Sequence, residues 1–325
     1  MKTKSEINQF FLEHAIDVPC ICGNHTGWSV SKYGRYGNRI EATLCYRCGH
    51  VWAKKQLKES DLKEFYAFYY RELYSNGKGL KNSEAFKPRI EASKKNILSL
   101  FNKYVNNGSN SLVVEWGCGA GWNLIPFQES GIRVIGYDLD IEYTRFGKEE
   151  YNLNLHTIND YIPDEGLKLE ADFLILNHVL EHVTTPEVFL KSLVKLLKAE
   201  TGLFYIGLPV IESLPIWGYR NFFHIAHLHY FSGRYFVQWM KYLGFEPLEI
   251  KHEQGIYLFK YKNDTKNISA RLNFRLYNFV LIVYYYIKYI IIYSFLFRIY
   301  ENSKILKYLW RTFKSFFGRK NYHGK

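Results

Sequence analysis

The sequence predicts an α/β chain built on an open, largely parallel β-sheet, with a small cysteine module before it and a helical, aromatic tail after it. Three observations carry this. Residues 112–140 read as strand, glycine turn, helix and second strand, and residues 171–209 read as strand, helix and strand again. Four of the five cysteines fall between residues 20 and 48, in two close pairs. Strands that alternate with helices in this way build parallel sheets through crossover connections.

The first stretch, LVVEWGCGAGWNLIPFQESGIRVIGYDLD, organises the rest. Leu112, Val113 and Val114 form a short apolar run. Gly117, Gly119 and Gly121 follow at alternating positions, and a helical segment opens at Trp122. A second apolar run from Arg133 to Tyr137 ends on Asp138. Glycines permit positive-φ turns and close approach by a ligand. The helix start beyond them offers unpaired amides. An acid after the second strand can accept both hydroxyl protons of a ribose, so the unit reads as nucleotide-binding. Its G-x-G-x-G spacing, with Glu115 two residues ahead, departs from the G-x-G-x-x-G of dinucleotide folds.

A chain of 325 residues holds one large domain and an accessory module, and an apolar fraction of 47% supplies a core. The first 18 residues carry Lys2, Lys4, Glu6, Glu13 and Asp17 and no apolar stretch of a secretory leader, so a cytoplasmic protein is expected. The net charge of +12 is uneven: from Thr265 onward 12 Lys and Arg face the single acid Glu301. The body is therefore close to neutral and has no general affinity for polyanions, which argues against a nucleic-acid partner.

In PCICGNHTGWSVSKYGRYGNRIEATLCYRCGHVW, Cys20 and Cys22 are followed, after a gap of 22 residues, by Cys45 and Cys48. Alternation between the pairs predicts a hairpin. So thin a module has little core, and a tetrahedral zinc held by Cys20, Cys22, Cys45 and Cys48 would stabilise it. The first pair is C-x-C rather than C-x-x-C, so His25 or His50 could replace a thiolate. Four thiolates leave no open position, so a structural rather than a catalytic zinc is expected.

Residues 56–108 are expected to be a helical connector. EFYAFYYRELY, residues 64–74, is dense in aromatics, and Glu84–Val105 has helical periodicity ending at Asn106-Asn107-Gly108. Beyond Asp138 the sequence predicts a helix over 141–151, a strand over 153–158 and the pair Asn159-Asp160. A strand over 172–177, a helix over 186–198 and a strand over 202–208 follow, with Pro186 at the helix start. His224, His227 and His229 crowd the stretch before a helix at 232–243, and residues 245–250 and 256–261 form a last antiparallel pair.

The E-x-G-x-G-x-G motif at 115–121, the V-L-E-H-V segment at 179–183 and the glycine-led strand ending at Pro209 resemble the class I S-adenosylmethionine (SAM) dependent methyltransferases of the ubiquinone and small-molecule type. The resemblance covers residues 109–262, and the cysteine module is similar to the zinc ribbon of sugar and natural-product methyltransferases. It implies a Rossmann-like seven-stranded sheet, and together with the flanking segments gives an expected order of ribbon (1–55), connector (56–108), SAM-binding domain (109–262) and tail (263–325). It also implies that Gly117, Gly119 and Gly121 pass the methionine moiety beside Glu115. Asp138 would hold the ribose and Asp160 the adenine amino group, with Tyr70 and Tyr74 lying across the pocket.

Methyl transfer from a sulfonium needs alignment and exclusion of water, and a histidine near neutral pKa suits the base that a hydroxyl or carbon acceptor requires. By position the candidates are His227 or His229, then His178 and His182, with Glu181 as an orienting or helix-start carboxylate. A metal at the H-x-H pair is not expected, because no carboxylate stands at ligand spacing in the sequence.

The tail segment LYNFVLIVYYYIKYIIIYSFLF, residues 276–297, is long enough to span a bilayer. Lys288 near its middle costs about 2.5–3.5 kcal/mol there, and its tyrosines favour the interface. The basic residues Lys304, Lys307, Arg311 and Lys314 among apolar neighbours predict a helix on an anionic membrane surface through residues 276–317. A spanning helix and a soluble helical cap or oligomer interface are the other readings. The expected function is methylation of a small-molecule or lipid-linked sugar acceptor, on oxygen or carbon, in cell-envelope polysaccharide biosynthesis. An RNA methyltransferase and a non-catalytic SAM-binding partner are the alternatives.

Overall fold

The computed structural model describes residues 4–35, 37, 39–65, 69, 86–105, 108–214, 222–262 and 274–302, without the side chains of 59, 63, 109 and 289–302. Tyr70 and Tyr74, and the basic repeat beyond residue 302, lie outside the described residues.

Five strands precede the main sheet: β1 (Ala15–Asp17), β2 (Gly27–Tyr33), β3 (Arg39–Cys45), β4 (Val51–Ala53) and β5 (Lys55–Leu57). The main sheet holds β6 (Leu112–Trp116), β7 (Arg133–Asp138), β8 (Leu155–Thr157), β9 (Phe173–Asn177) and β10 (Leu203–Gly207). After β11 (His229–Tyr230), the strands β12 (Phe245–Lys251) and β13 (Ile256–Tyr261) complete it. The order is β12-β13-β10-β9-β6-β7-β8. β6 to β10 pair in parallel, and β13 runs antiparallel to both β10 and β12.

This is the predicted Rossmann-like seven-stranded sheet. Every residue of β6 and β10 is buried, as is the apolar run of β9. Strands covered on both faces read as continuous apolar runs rather than alternating ones. The helix Pro186–Val194 covers one face with Phe189, Leu190 and Leu193. Chain order reverses between β6 and β9, so a crevice opens at their carboxyl ends, where open α/β sheets bind ligands.

Some boundaries shift for local reasons. The helix after the glycine turn spans only Ile125–Glu129, because Pro126 occupies its first turn and Gly131, at φ +72°, closes it. The connector helix runs from Lys87 to Tyr104 and widens into a π segment over Lys94–Leu98.

The hairpin expected between the cysteine pairs is present as β2 and β3, and the module extends to a four-stranded sheet ordered β11-β4-β3-β2. Its outer strand β11 comes from the histidine stretch: His229 pairs with Trp52 and Tyr230 with Val51. The last helix, Arg275–Asn302, begins against the same module. Phe274 N donates to Cys48 O at 2.9 Å, Asn278 Nδ2 to Gly49 O at 2.7 Å, and Ile282 is buried among Ile40, Leu44 and Val51. The opposite face leaves Leu276, Val280, Tyr284 and Ile287 exposed. Among the residues whose side chains are described, no helix is long and apolar enough to cross a membrane.

Candidate active site

The glycine turn leaves β6 with Gly117, Gly119 and Gly121 all at positive φ, +78°, +55° and +77°. A Cβ at Gly117 would strike Val179 Cγ2, so the turn packs directly against the segment that follows β9. Gly117 N and Cys118 N both donate to Tyr137 O, at 2.7 and 3.0 Å. Asp138 accepts from Gly119 N at 2.7 Å and from Asp140 N at 2.8 Å. The acid that ends β7 therefore also pins the glycine turn, and burial raises its pKa above the usual carboxylate value. Two oxygens with a pair of lone pairs each retain acceptor capacity beyond these bonds.

Glu115 is buried beneath the turn. Asn123 Nδ2 donates to its Oε1 at 2.6 Å, and its Oε2 has no partner among the described residues. Burial pushes its pKa to about 8; the Asn123 bond lowers it and Asp138 nearby raises it. Asp160 is exposed and accepts from Ile162 N at 3.0 Å within its own turn. A cradle that only glycine fits, with an orphaned buried carboxylate oxygen and a strand-end acid around it, suits a nucleoside carrying a cationic amino-acid group.

The histidines divide into two sets. His178 sits at the carboxyl end of β9 at φ +57°, a backbone region a histidine rarely adopts. Its side chain is 63% exposed, and its Nδ1 lies 3.4 Å from Glu181 Oε1. His182 Nδ1 donates to Ala226 O at 2.8 Å, and its ring meets that of His227 edge-on, with centroids 4.9 Å apart. Glu181 is fully buried. Burial raises its pKa, but the neighbouring His178 and His182 more than offset this, and the net shift is downward.

Ligand atoms of Glu181, His182 and His227 all lie within 4.8 Å of one another. This corrects the expectation that no carboxylate accompanies the histidine stretch. Glu181 is 46 residues from His227 in sequence and reaches it only because the 180–182 turn and the 224–227 loop meet above the sheet.

His229 belongs to the other set. It is buried, and its Nε2 donates to Val183 O at 3.1 Å. In the neutral ring Nδ1 then carries the lone pair, which accepts from His50 Nε2 at 3.1 Å. Burial lowers the His229 pKa to about 4. With both ring nitrogens occupied inside the core, His229 joins the cysteine module to the sheet.

The four cysteines converge. Cys20 Sγ and Cys48 Sγ are 3.6 Å apart, as are Cys22 Sγ and Cys45 Sγ, and the four sulfurs lie within 4.8 Å of one another. Tetrahedral zinc at 2.3 Å from each sulfur sets an edge of about 3.8 Å, whereas a disulfide needs about 2.05 Å. All four are free thiols, with Arg47 N and Asn24 Nδ2 donating to Cys45 Sγ and His50 N to Cys48 Sγ. His25 is exposed and His50 is engaged with His229, so the cluster is four sulfurs without a histidine. This donor set fits structural zinc.

Similar solved structures include coclaurine N-methyltransferase bound to N-methylheliamine and S-adenosylhomocysteine (SAH). It is 18% identical over 36% of this chain and 35% of that one, with a TM-score of 0.31. A second is the Burkholderia thailandensis 1,6-didemethyltoxoflavin-N1-methyltransferase with bound 1,6-didemethyltoxoflavin and SAH. It is 15% identical over 67% of this chain and 98% of that one, with a TM-score of 0.43. A Pyrococcus horikoshii protein is 16% identical over 61% and 99%, with a TM-score of 0.46. No curated protein matches the chain. The family described as methyltransferase domain matches residues 87–250, half of the chain, and with the seven-stranded sheet and glycine turn in place the chain belongs to the SAM-dependent methyltransferases.

Proposed function

We propose that the chain methylates a hydroxyl or acidic carbon of a small-molecule or lipid-linked sugar, as a step of cell-envelope polysaccharide biosynthesis, with His178 as the base. The observation that carries this reading is the placement of His178. It is exposed at the carboxyl end of β9, held in a left-handed conformation, and backed by the buried carboxylate of Glu181. Its neighbour Val179 abuts Gly117, which supports placing the 178–182 segment beside the turn where the cofactor is proposed to lie.

Bound SAM supplies an activated methyl group. Gly117, Gly119 and Gly121 would line its methionine portion, Glu115 its cationic end, and Asp138 and Asp160 its ribose and adenine. Tyr70 and Tyr74 are proposed to close the pocket. His178 would take the acceptor's proton while Glu181 steadies the imidazolium. His182 and His227 flank this pair. His229 is the least suited of the four histidines, since both its nitrogens are bonded away from the crevice.

Cys20, Cys22, Cys45 and Cys48 would hold a structural zinc, which fixes the module against β11. The exposed apolar face of the last helix, continued by the basic segment to residue 317, would rest on the anionic inner surface of a membrane, where lipid-linked acceptors are found. The test is release of SAH on addition of nucleotide sugars or lipid-linked glycan fractions. His178→Ala is expected to lower turnover by about 10²–10⁴-fold while SAM affinity stays within about twofold. Absence of turnover with every glycan acceptor would remove the substrate assignment, and an unchanged rate in His178→Ala would remove the base.

A further inference from the structure

We propose that Glu181, His182 and His227 form a binding site for one divalent transition-metal ion, distinct from the four-cysteine cluster. Glu181 is 0% exposed; its Oε1 lies 3.4 Å from His178 Nδ1 and 3.8 Å from His182 Nε2, and its Oε2 has no hydrogen-bond partner among the described residues. His227 Nδ1 is likewise buried and unbonded. A buried carboxylate is tolerated when it is paired or coordinates a metal.

The His182 contact defines the site further. Its Nδ1 donates to the Ala226 carbonyl, so in the neutral ring Nε2 presents a lone pair. That nitrogen lies 3.8 Å from Glu181 Oε1, which is itself electron-rich. A proton on the imidazole or a bound cation between the two atoms would make this contact favourable. A histidine whose second nitrogen donates to a backbone carbonyl is the usual arrangement behind a metal, because the bond fixes the tautomer and raises basicity at the other nitrogen.

The donor set settles what would bind. Two imidazoles and one carboxylate suit divalent first-row ions such as Mn²⁺, Fe²⁺ or Zn²⁺ and leave coordination positions open. Bonds of about 2.0–2.2 Å require the three ligand atoms to draw in by roughly 1 Å at most from their 4.8 Å limit. The open positions would face His178, the exposed member of the group. Resting on the proposed function, the ion would take an oxygen of the acceptor and ease loss of its proton. The acceptor would then present an oxygen next to the methylated atom, as in a vicinal diol or a hydroxy-keto sugar.

The probe is Mn²⁺, which thiolate sites disfavour. The full chain is stripped with a chelator, restored with zinc at one equivalent, and titrated with Mn²⁺ by electron paramagnetic resonance. Wild type is expected to bind one Mn²⁺, and Glu181→Gln and His227→Gln to weaken it at least tenfold with zinc content unchanged. Should Glu181→Gln fail to fold, His227→Gln decides alone. No Mn²⁺ on wild type, or equal binding by the variants, overturns the site. SAM calorimetry on the same samples separates the outcomes: loss of SAM binding with Mn²⁺ retained would count against the methyl-transfer reading and leave the metal site standing.

Discussion

His229 accepts a hydrogen bond from His50 across 3.1 Å in a core closed to solvent, and this contact couples the cysteine module to the methyltransferase sheet. One residue precedes β4 and the other begins β11, two strands of the same four-stranded sheet. The module is thus completed by a strand of the catalytic domain. His229→Leu leaves the His50 donor and the Val183 acceptor without partners, and each buried loss costs about 1–3 kcal/mol. Denaturant unfolding should show a drop of that order. Turnover of the folded fraction should stay within a few-fold of wild type, because His229 donates into the core. A full-stability variant with a hundredfold lower turnover would instead make His229 the base.

Much of the sheet was legible because β6, β9 and β10 are buried on both faces and therefore read as unbroken apolar runs. The glycine turn and Asp138 were legible because positive φ and a strand-end acid demand particular residue types. The union of β11 with β4 was not, since two residues carry no periodicity. Nor was the meeting of Glu181 with His227, which depends on where two loops cross above the sheet. The docking of the last helix was hidden for a third reason: Asn278 and Gly49 are 229 residues apart, and an apolar helix looks the same whether protein or lipid covers it.

Gly117→Ala tests the proposed role of the glycine turn in cofactor binding. The residue sits at φ +78°, and its new methyl group would meet Val179 Cγ2. The left-handed conformation alone costs a non-glycine residue roughly 1–2 kcal/mol, and the clash adds to it by pushing the 178–182 segment outward. Calorimetry should show SAH affinity reduced by at least tenfold. Adding Val179→Ala removes the clash but not the backbone strain, so it should restore part of the loss. Full restoration would mean that φ at Gly117 is unimportant, and no restoration would mean that Val179 does not set the spacing.

Gly49 and Asn278 test how the tail begins. Asn278 Nδ2 donates to Gly49 O at 2.7 Å in a buried contact, and a Cβ at Gly49 would run into the backbone of Phe274 and Arg275. Asn278→Ala should loosen the helix by about 1 kcal/mol, the usual net worth of such a bond. Gly49→Ala should loosen it more. Trypsin cleavage at Arg275 should speed up in that order, while SAM binding stays unchanged. If neither variant alters cleavage, the helix is held by contacts other than these.

Glu115, buried beneath the glycine turn, makes stability depend on pH. Its carboxyl has a pKa of about 8 in the folded chain, mainly through burial, against an ordinary value of 4.5. Below the ordinary value both folded and unfolded chains hold the proton. Between the two values only the folded chain does, so unfolding releases a proton and stability falls as pH rises. Above about 8 both are ionised and the decline stops. A shift of this size corresponds to a few kcal/mol across that window, by order of magnitude. Glu115→Gln keeps the shape and accepts the Asn123 bond through its carbonyl oxygen, with nothing to ionise. Thermal melts without ligand should therefore show the variant gaining on wild type from about pH 5 to pH 8 and keeping a constant lead beyond. A lead that is the same at pH 5 and pH 8 would mean that Glu115 is already ionised in the folded protein.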